Sequence, residues 1–470
     1  IPFPALFRYS RLHRLTDETI RKNWLEWNNP DGPQSTSMGI ALPKWIVESQ
    51  NNVYVLGFYG LLFGGALPLL VGRWWFGNRQ KTKDGVNAKS AAGFFKGVPE
   101  EGSVHDVVGV VGKAFEWEGP SSLSKGNAGL EEVEKKVEAS SVGEEFKTVK
   151  KLARNVDGKL TPRRWRGLVL LFAHLGRVDV GSEELKKEQR EVVLSAPVLL
   201  NALLNVVSAR NWLHITLTVM RLNATLVQAL PLTPSPRALL TQLPGLELED
   251  VESLGASDLK GVLAALEKKE DARAGTVRKA LEKWGRVEIV DAGFKVIGES
   301  VVTPSSIIFL VVKLRLVPPV SKNGKDVAEK EETVEEAKRN AVKDEEFLVG
   351  KAEAEELDEE RAVESKGLAH APRWPGARKA GWWLVLGDEK QGRVVVPPSK
   401  ISEIPFKSGE GERDYRSFKI QFQGPPATGV FTWKVFVVSD TFVGEEVSKD
   451  VTVSFLLLFL ILSGDTHEAF

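Results

Sequence analysis

The chain has 470 residues, 42% of them hydrophobic and 27% charged, with 63 Lys+Arg set against 63 Asp+Glu. That length supports two or three domains rather than one core, and a balanced charge offers no bulk attraction to nucleic acid. Cys is absent, which excludes disulfides, thiolate nucleophiles and Cys-based zinc sites outright. The chain starts at Ile1 with no secretory signal ahead of the first polar stretch, so the start reads as truncated or processed.

The first long feature is an uncharged run, Asn51–Gly72 (NNVYVLGFYGLLFGGALPLLVG). As a helix it reaches roughly 33 Å, close to the hydrocarbon thickness of a bilayer. Tyr54 near one end and Trp74 and Trp75 at the other have the placing of an aromatic belt. Arg73, Arg79, Lys81 and Lys83 crowd the far flank, whereas Lys44 on the near flank is opposed by Glu48. Positive-inside bias therefore puts everything after Gly72 in the cytosol and the residues before Asn51 on the other side. A core helix of a soluble domain rarely stays uncharged for so long, and Pro68 and the glycines would weaken it in water. Gly60 and Gly64 form a small-xxx-small pair that lets another helix approach closely, which makes both candidate partner contacts.

Residues 83–160 mix short apolar stretches with Gly and charge. They read as a helical lead-in with a loose, polar segment around Gly119–Val142. From Thr161 the helical period is clear. TPRRWRGLVLLFAHLGRV has a proline start, and the run from Glu191 to Leu230 places Leu199, Leu203, Val206 and Val207 on one face. Pro231, Pro234 and Pro236 end that run, and Ser257 or Asp258 is placed to cap the next helix. RRWR at Arg163–Arg166 is compatible with a nucleic-acid or lipid contact, but a helix edge with Trp165 turned inward is the plainer reading.

After Arg286 the period changes. RVEIVDAGFKVIGE and IIFLVVKLRLV alternate as strands do, GWWLVLGDEKQGRVVVPP has a hairpin loop at Asp388–Gly392, and Phe431, Trp433, Val435 and Val437 alternate later. Roughly seven short strands make an immunoglobulin-like or fibronectin-like sandwich over residues 286–320 and 369–455. The charged stretch 321–368 between them reads as a solvated, disordered insertion. Phe455–Leu462 is too short to span a bilayer and reads as an end strand or tail, the tail running over 456–470. The fold class is therefore an α+β multidomain membrane protein. It has a segment 1–50, one transmembrane helix at 51–76, a helical module at 83–285 and the sandwich.

Catalytic chemistry has little foothold. The six histidines (His13, His105, His174, His214, His370 and His467) form no i, i+4 metal pair, and His174 and His214 lie in apolar helical runs where structural roles are commoner. GVVGKA at Gly109–Ala114 has glycines too close together for a phosphate loop, with Ala where the metal-bridging hydroxyl belongs. No G-x-S-x-G or carboxylate pair stands out. The residues argue against an active site, and no cofactor or metal is expected.

Leu15–Glu48 (LTDETIRKNWLEWNNPDGPQSTSMGIALPKWIVE) stands directly before the uncharged run. It resembles the Sec63 translocation-protein family, J-proteins of the endoplasmic reticulum. In that family the end of a lumenal J domain runs through an LTDE helix into NPDGPQSTS and GIALP, then into a last transmembrane helix. The counterparts here are Leu15–Glu18, Asn29–Ser37 and Gly39–Pro43. Gly72–Trp75 (GRWW) and Thr82–Gly85 (TKDG) continue the match, and Gln242–Leu254, Gly381–Asp388 and Val437–Glu446 resemble later segments, so the likeness runs from Leu15 to Val453.

The resemblance implies a helical module followed by a fibronectin type III sandwich, an order shared with large spliceosomal RNA helicases. It also implies a non-enzymatic subunit of the post-translational translocon in the endoplasmic-reticulum membrane, with its N-terminal side lumenal and its bulk cytosolic. Ser37, Met38, Gly39, Ile40, Ala41, Leu42 and Pro43 would then add along a loop of the protein-conducting channel. The sandwich would dock on the channel's cytosolic loops beside accessory translocon subunits, and together these contacts would favour the open channel. Only the last J-domain helix has a counterpart, and no histidine is followed by Pro-Asp, so recruitment of a BiP-type lumenal chaperone is not carried over. Two earlier transmembrane helices and an acidic tail of the family also lack counterparts. The competing classes are a J-domain co-chaperone and a helicase-associated RNA-binding module. The missing His-Pro-Asp weighs against the first, and the uncharged run and the lack of a helicase phosphate loop against the second.

Overall fold

The computed structural model describes residues 17–29, 31–33, 49–79, 81–118, 129–155, 160–298, 302–320, 334–357, 361, 365, 367–407 and 413–455. They belong to two compact units, Ile1–Arg79 and Gln80–Phe470.

In the first unit, α1 (Glu18–Trp27) starts at Asp17, whose carboxylate accepts the Thr19 N–H, and stops at Asn28 in a left-handed conformation that Asn tolerates. The uncharged run is helical as α2 (Asn52–Leu61), a π-helical turn (Leu62–Ala66) and α3 (Leu67–Arg79). The wide turn has a local cause. Pro68 has no N–H, and its ring would press on the Gly64 carbonyl in a regular α-helix. The backbone widens just ahead of it, so the Leu67 N–H reaches the Leu62 carbonyl, five residues back.

The second unit opens with a helical part: α4 (Ala88–Gly97), α5 (Val104–Val111), α6 (Leu130–Ala139), α7 (Gly143–Asn155), α8 (Pro162–Leu175), α9 (Glu183–Ala209) and α10 (Leu213–Gln228). Their starts follow from side-chain caps. Ser103 and Asp106 form a capping box, and Thr161 and Ser182 accept the Arg164 and Leu185 N–H groups. One core collects Phe94, Val137, Phe146, Phe172, Leu199 and Met220 from these helices. Four short helices follow, α11 (Pro236–Leu240), α12 (Leu248–Leu254), α13 (Leu259–Lys268) and α14 (Ala274–Glu282), and close a smaller core around Trp284 and Phe442. Of the two capping residues considered for α13, Asp258 holds the position.

Two expectations for this part are corrected. The polar segment read as loose is helical from Leu130, because Leu130, Val133 and Val137 fall on one buried face. As the glycine spacing implied, Gly109–Ala114 is not a phosphate loop: it forms the end of α5 and its turn, with Val110 and Val111 buried and the Gly112 N–H bonded to the Val108 carbonyl. The long run from Glu191 to Leu230 is two helices, broken at Asn211 with φ +59°.

Seven strands follow: β1 (Val287–Lys295), β2 (Ile307–Leu316), β3 (Gly381–Asp388), β4 (Arg393–Ser402), β5 (Arg416–Gln423), β6 (Gly429–Ser439) and β7 (Glu446–Phe455). They form two antiparallel sheets, ordered β1-β2-β5 and β4-β3-β6-β7. Inward residues of both sheets share one core, among them Leu310, Leu314, Phe418, Leu386, Val435 and Phe455. β3 is buried on both faces for a definite reason. Trp382, Leu384 and Leu386 enter the core between the sheets, while Trp383 and Val385 join the core of the helices. An unbroken apolar run, GWWLVLG, is what such a strand requires.

The stretch read as a disordered insertion differs from that expectation over 334–357. Val334–Val349 is a helix, α15, and Lys313 and Arg413 of the sandwich both pair with its Asp344. Charge opposition to a basic sheet edge orders residues that have too little apolar surface to fold alone.

Candidate interaction surfaces

The most apolar exposed surface among the described residues is the helix Ser49–Trp75, 27 residues long with none of its apolar stretch buried. Val53, Leu56, Leu61 and Leu69 are each more than 70% exposed. Water penalises such a surface, and hydrocarbon does not. Tyr59 stacks on Phe63 with ring centroids 5.8 Å apart. Gly57, Gly60 and Gly64 recur at helical spacing, and a methyl group added at any of them would meet nothing within 4 Å. A neighbouring helix could pack closely there. α9 is equally long and apolar, yet over half of its apolar stretch is buried. Leu199, Leu203 and Val207 make it the axis of the helical core.

A second constellation joins the helices to the sandwich. At the break between α9 and α10, the Leu213 N–H donates to the Gly392 carbonyl at 3.0 Å, and the Val394 N–H to the Asn211 carbonyl at 2.9 Å. The β3–β4 turn is thereby clipped to the helices by backbone bonds. Arg221 clasps Glu446 with Nε and Nη2 at 2.7 and 3.0 Å. At the far end of α10, Gln228 Nε2 donates to the carbonyls of His370 and Thr441, both at 2.9 Å. Gln242 donates to the Val443 carbonyl and accepts its N–H, and Trp284 Nε1 donates to Glu445 at 2.9 Å. Sandwich loops are consequently presented from a stiff support, the kind of surface that suits recognition.

Ser37, Met38, Gly39, Ile40, Ala41, Leu42 and Pro43 lie outside the described residues, as do His13 and His467. Gly60 and Gly64 lie on the exposed helix, and among the described residues nothing comes within 4 Å of a Cβ added at either. RRWR is used inside the fold. Arg164 and Arg166 are buried against Glu118 and Glu188 at 2.8 and 2.6 Å, and the Trp165 ring lies 5.5 Å from that of Phe146. His174 is half-buried, its Nε2 2.8 Å from the Leu226 carbonyl, and desolvation pushes its pKa down to about 4. His214, expected to be similar, is exposed on α10. Sequence reasoning missed the joint residues Gln228, Gln242 and Glu445. Their available signal was a polar side chain inside an otherwise apolar stretch.

Residues 138–452 match the family model described as the Sec63 Brl domain. The chain is similar to the translocation protein sec63 of Schizosaccharomyces pombe, 30% identical over 457 residues, which cover 93% of this chain and 64% of that protein. It is 26% identical over 430 residues to the protein translocation protein SEC63 of Saccharomyces cerevisiae, covering 87% and 56%. It is 31% identical over 256 residues to the translocation protein SEC63 homolog of Homo sapiens, covering 50% and 32%. The chain thus spans less than two thirds of the length of each of these relatives.

Proposed function

Because the chain belongs to the Sec63 family, we propose that it is a non-enzymatic, membrane-anchored subunit of the endoplasmic-reticulum protein-translocation machinery, which binds the protein-conducting channel and favours its open state. The observation that carries this reading is the extent of the family likeness. Similarity to a fission-yeast translocation protein runs through 93% of this chain, and the family model takes in α7 to α14 and β1 to β6 entire.

In this reading Ser49–Trp75 is the one transmembrane helix and α9 a core helix of a cytosolic module at 83–285. The basic flank after Gly72 supports a lumenal N-terminal side and a cytosolic bulk. The sandwich at 286–320 and 369–455 is fibronectin type III-like, and the pairing of a three-stranded with a four-stranded antiparallel sheet supports that assignment. Ser37–Pro43 adds as extended backbone to a channel loop, and Gly60 and Gly64 admit a channel helix at close range. The sandwich docks on cytosolic channel loops. A stiff joint between helices and sandwich is what the mechanism needs, since a partner that fits only the open channel shifts its population by its differential affinity.

The test is co-purification with the channel from mild detergent, comparing wild type with a chain whose Ser37–Pro43 is replaced by a Gly/Ser linker. Channel recovered with wild type and depleted with the replacement supports the reading. A folded, membrane-inserted wild-type chain that brings down no channel overturns it.

A further inference from the structure

The outer edge of β5 is covered by the chain itself. The Glu355 N–H donates to the Ser417 carbonyl at 2.9 Å, and the Lys419 N–H to the Glu353 carbonyl at 2.8 Å, around an antiparallel bridge between Ala354 and Phe418. Acidic residues fix this short cover in place. Asp344 on α15 pairs with Lys313 at 2.6 Å and with Arg413, Glu355 pairs with Arg413 at 3.0 Å, and Arg416 Nε donates to the Glu355 carbonyl at 2.7 Å. An uncovered edge would present unpaired N–H and C=O groups to any passing strand.

The cover fits poorly in three respects. Lys419 is only 6% exposed, yet its ammonium donates to the carbonyls of Phe347, Leu348 and Gly350 and meets no carboxylate among the described residues. Burial without a counter-charge pushes its pKa down. Ser417 is fully buried, and its hydroxyl has no partner among the described residues, an unfavourable state for a polar group. Beneath the cover a groove of about 700 Å³ runs between the edges of β4 and β5, lined by Phe309, Leu384, Ile401 and Phe418. The covering residue over it is Ala354, which is too small to fill it.

We propose that the β5 edge is a strand-addition site for an extended, carboxylate-bearing segment of a partner protein, for which residues 353–355 are a displaceable stand-in. A partner strand repeats the two backbone bonds made to Ser417 and Lys419. A larger apolar residue in place of Ala354 occupies more of the groove, and a carboxylate placed at Lys419 gives that cation the counter-charge it lacks. Arg413, which pairs with the Glu355 carboxylate of the stand-in, favours an acidic segment over a neutral one.

Two measurements on the full chain in detergent test this. The first is hydrogen exchange of the wild type. The Glu355 and Lys419 amides, which bond between the cover and β5, should exchange at least about tenfold faster than those of Phe418 and Ile420, which face β2, because the cover opens locally. The second is titration with the nine-residue peptide VGKAEAEEL, copied from residues 349–357, and with a version carrying Leu at the Ala354 position. Glu355→Pro removes the N–H given to Ser417 and loosens the cover. The Leu peptide should bind this variant at least about tenfold more tightly than wild type, and Arg413→Met, which removes the partner of the Glu355 carboxylate, should weaken that binding. Equal exchange at the four amides, or no binding of either peptide to folded Glu355→Pro chain, would make the cover a fixed part of the sandwich and overturn the proposal. If Glu355→Pro does not fold, the exchange comparison decides alone.

Discussion

Gly387 is in close contact with Leu213: a Cβ on Gly387 would sit 2.6 Å from Leu213 Cδ1 and 2.7 Å from Cδ2. Gly387 lies near the end of β3 and Leu213 opens α10, so this approach lets the sandwich settle against the helices beside the Leu213–Gly392 backbone bond. Gly387→Ala should therefore lower stability by about 1–3 kcal/mol through overpacking. Leu213→Ala alone should cost about 2–5 kcal/mol through a cavity. Because the two changes meet in space, the double variant should lose clearly less than the sum. Denaturant unfolding of the four chains in detergent measures this; strict additivity would mean that Gly387 does not govern the approach.

Where local rules decide, the sequence was legible. Asp258 caps α13 because a short acceptor precedes an apolar helical run, and Leu199, Leu203 and Val207 share a buried face because they share a helical stripe. The double burial of β3 was implicit in its unbroken apolar run. What stayed hidden depends on contacts between distant segments. Asn211 breaks the α9–α10 run where the β3–β4 turn docks, and α15 is ordered by Lys313 and Arg413, which lie far from it along the chain. Neither effect has a local periodicity. The proposal that Ser37–Pro43 binds the channel rests on family likeness alone, since a short extended segment has no pattern of its own.

The buried pair of Arg166 and Glu188, 2.6 Å apart with side chains only 6% and 8% exposed, joins α8 to α9. Arg166→Met should destabilise by about 3–5 kcal/mol, since it strands a buried carboxylate. Replacing both residues, Arg166→Met with Glu188→Leu, should recover most of that loss, because an apolar pair of similar volume requires no buried charge. Thermal melting of the three chains reads this directly; a double variant as weak as the single one would show that packing, not charge, sets the cost.

Gln228 ties α10 to two separate sandwich segments through one amide. Gln228→Leu leaves two buried carbonyls short of a donor and should cost about 1–3 kcal/mol. The loss should be local in its dynamics. Amide exchange should accelerate around His370 and Thr441 while α6, which packs on α7 and α8, keeps its protection. Uniform acceleration across the second unit would argue that Gln228 supports the whole fold and not the joint.

His174 makes stability depend on pH in a calculable direction. Its pKa is held at about 4 in the folded chain by burial, with Arg177 and Arg373 adding repulsion, against an ordinary value of 6.5. The folded state therefore favours the neutral ring, which donates its Nε2–H to the Leu226 carbonyl. The unfolded chain binds a proton below pH 6.5 that the folded chain refuses until about pH 4, so stability present above 6.5 is lost as pH falls through that window. Between pH 7.5 and 5 this one residue should remove about 2 kcal/mol. His174→Gln keeps a donor for Leu226 and has nothing to titrate, so its unfolding free energy should fall less steeply over the same interval. Carboxylates and the half-buried His370 contribute equally to both chains and cancel in the difference. Parallel slopes for wild type and His174→Gln would mean that the His174 ring is not a source of the acid sensitivity.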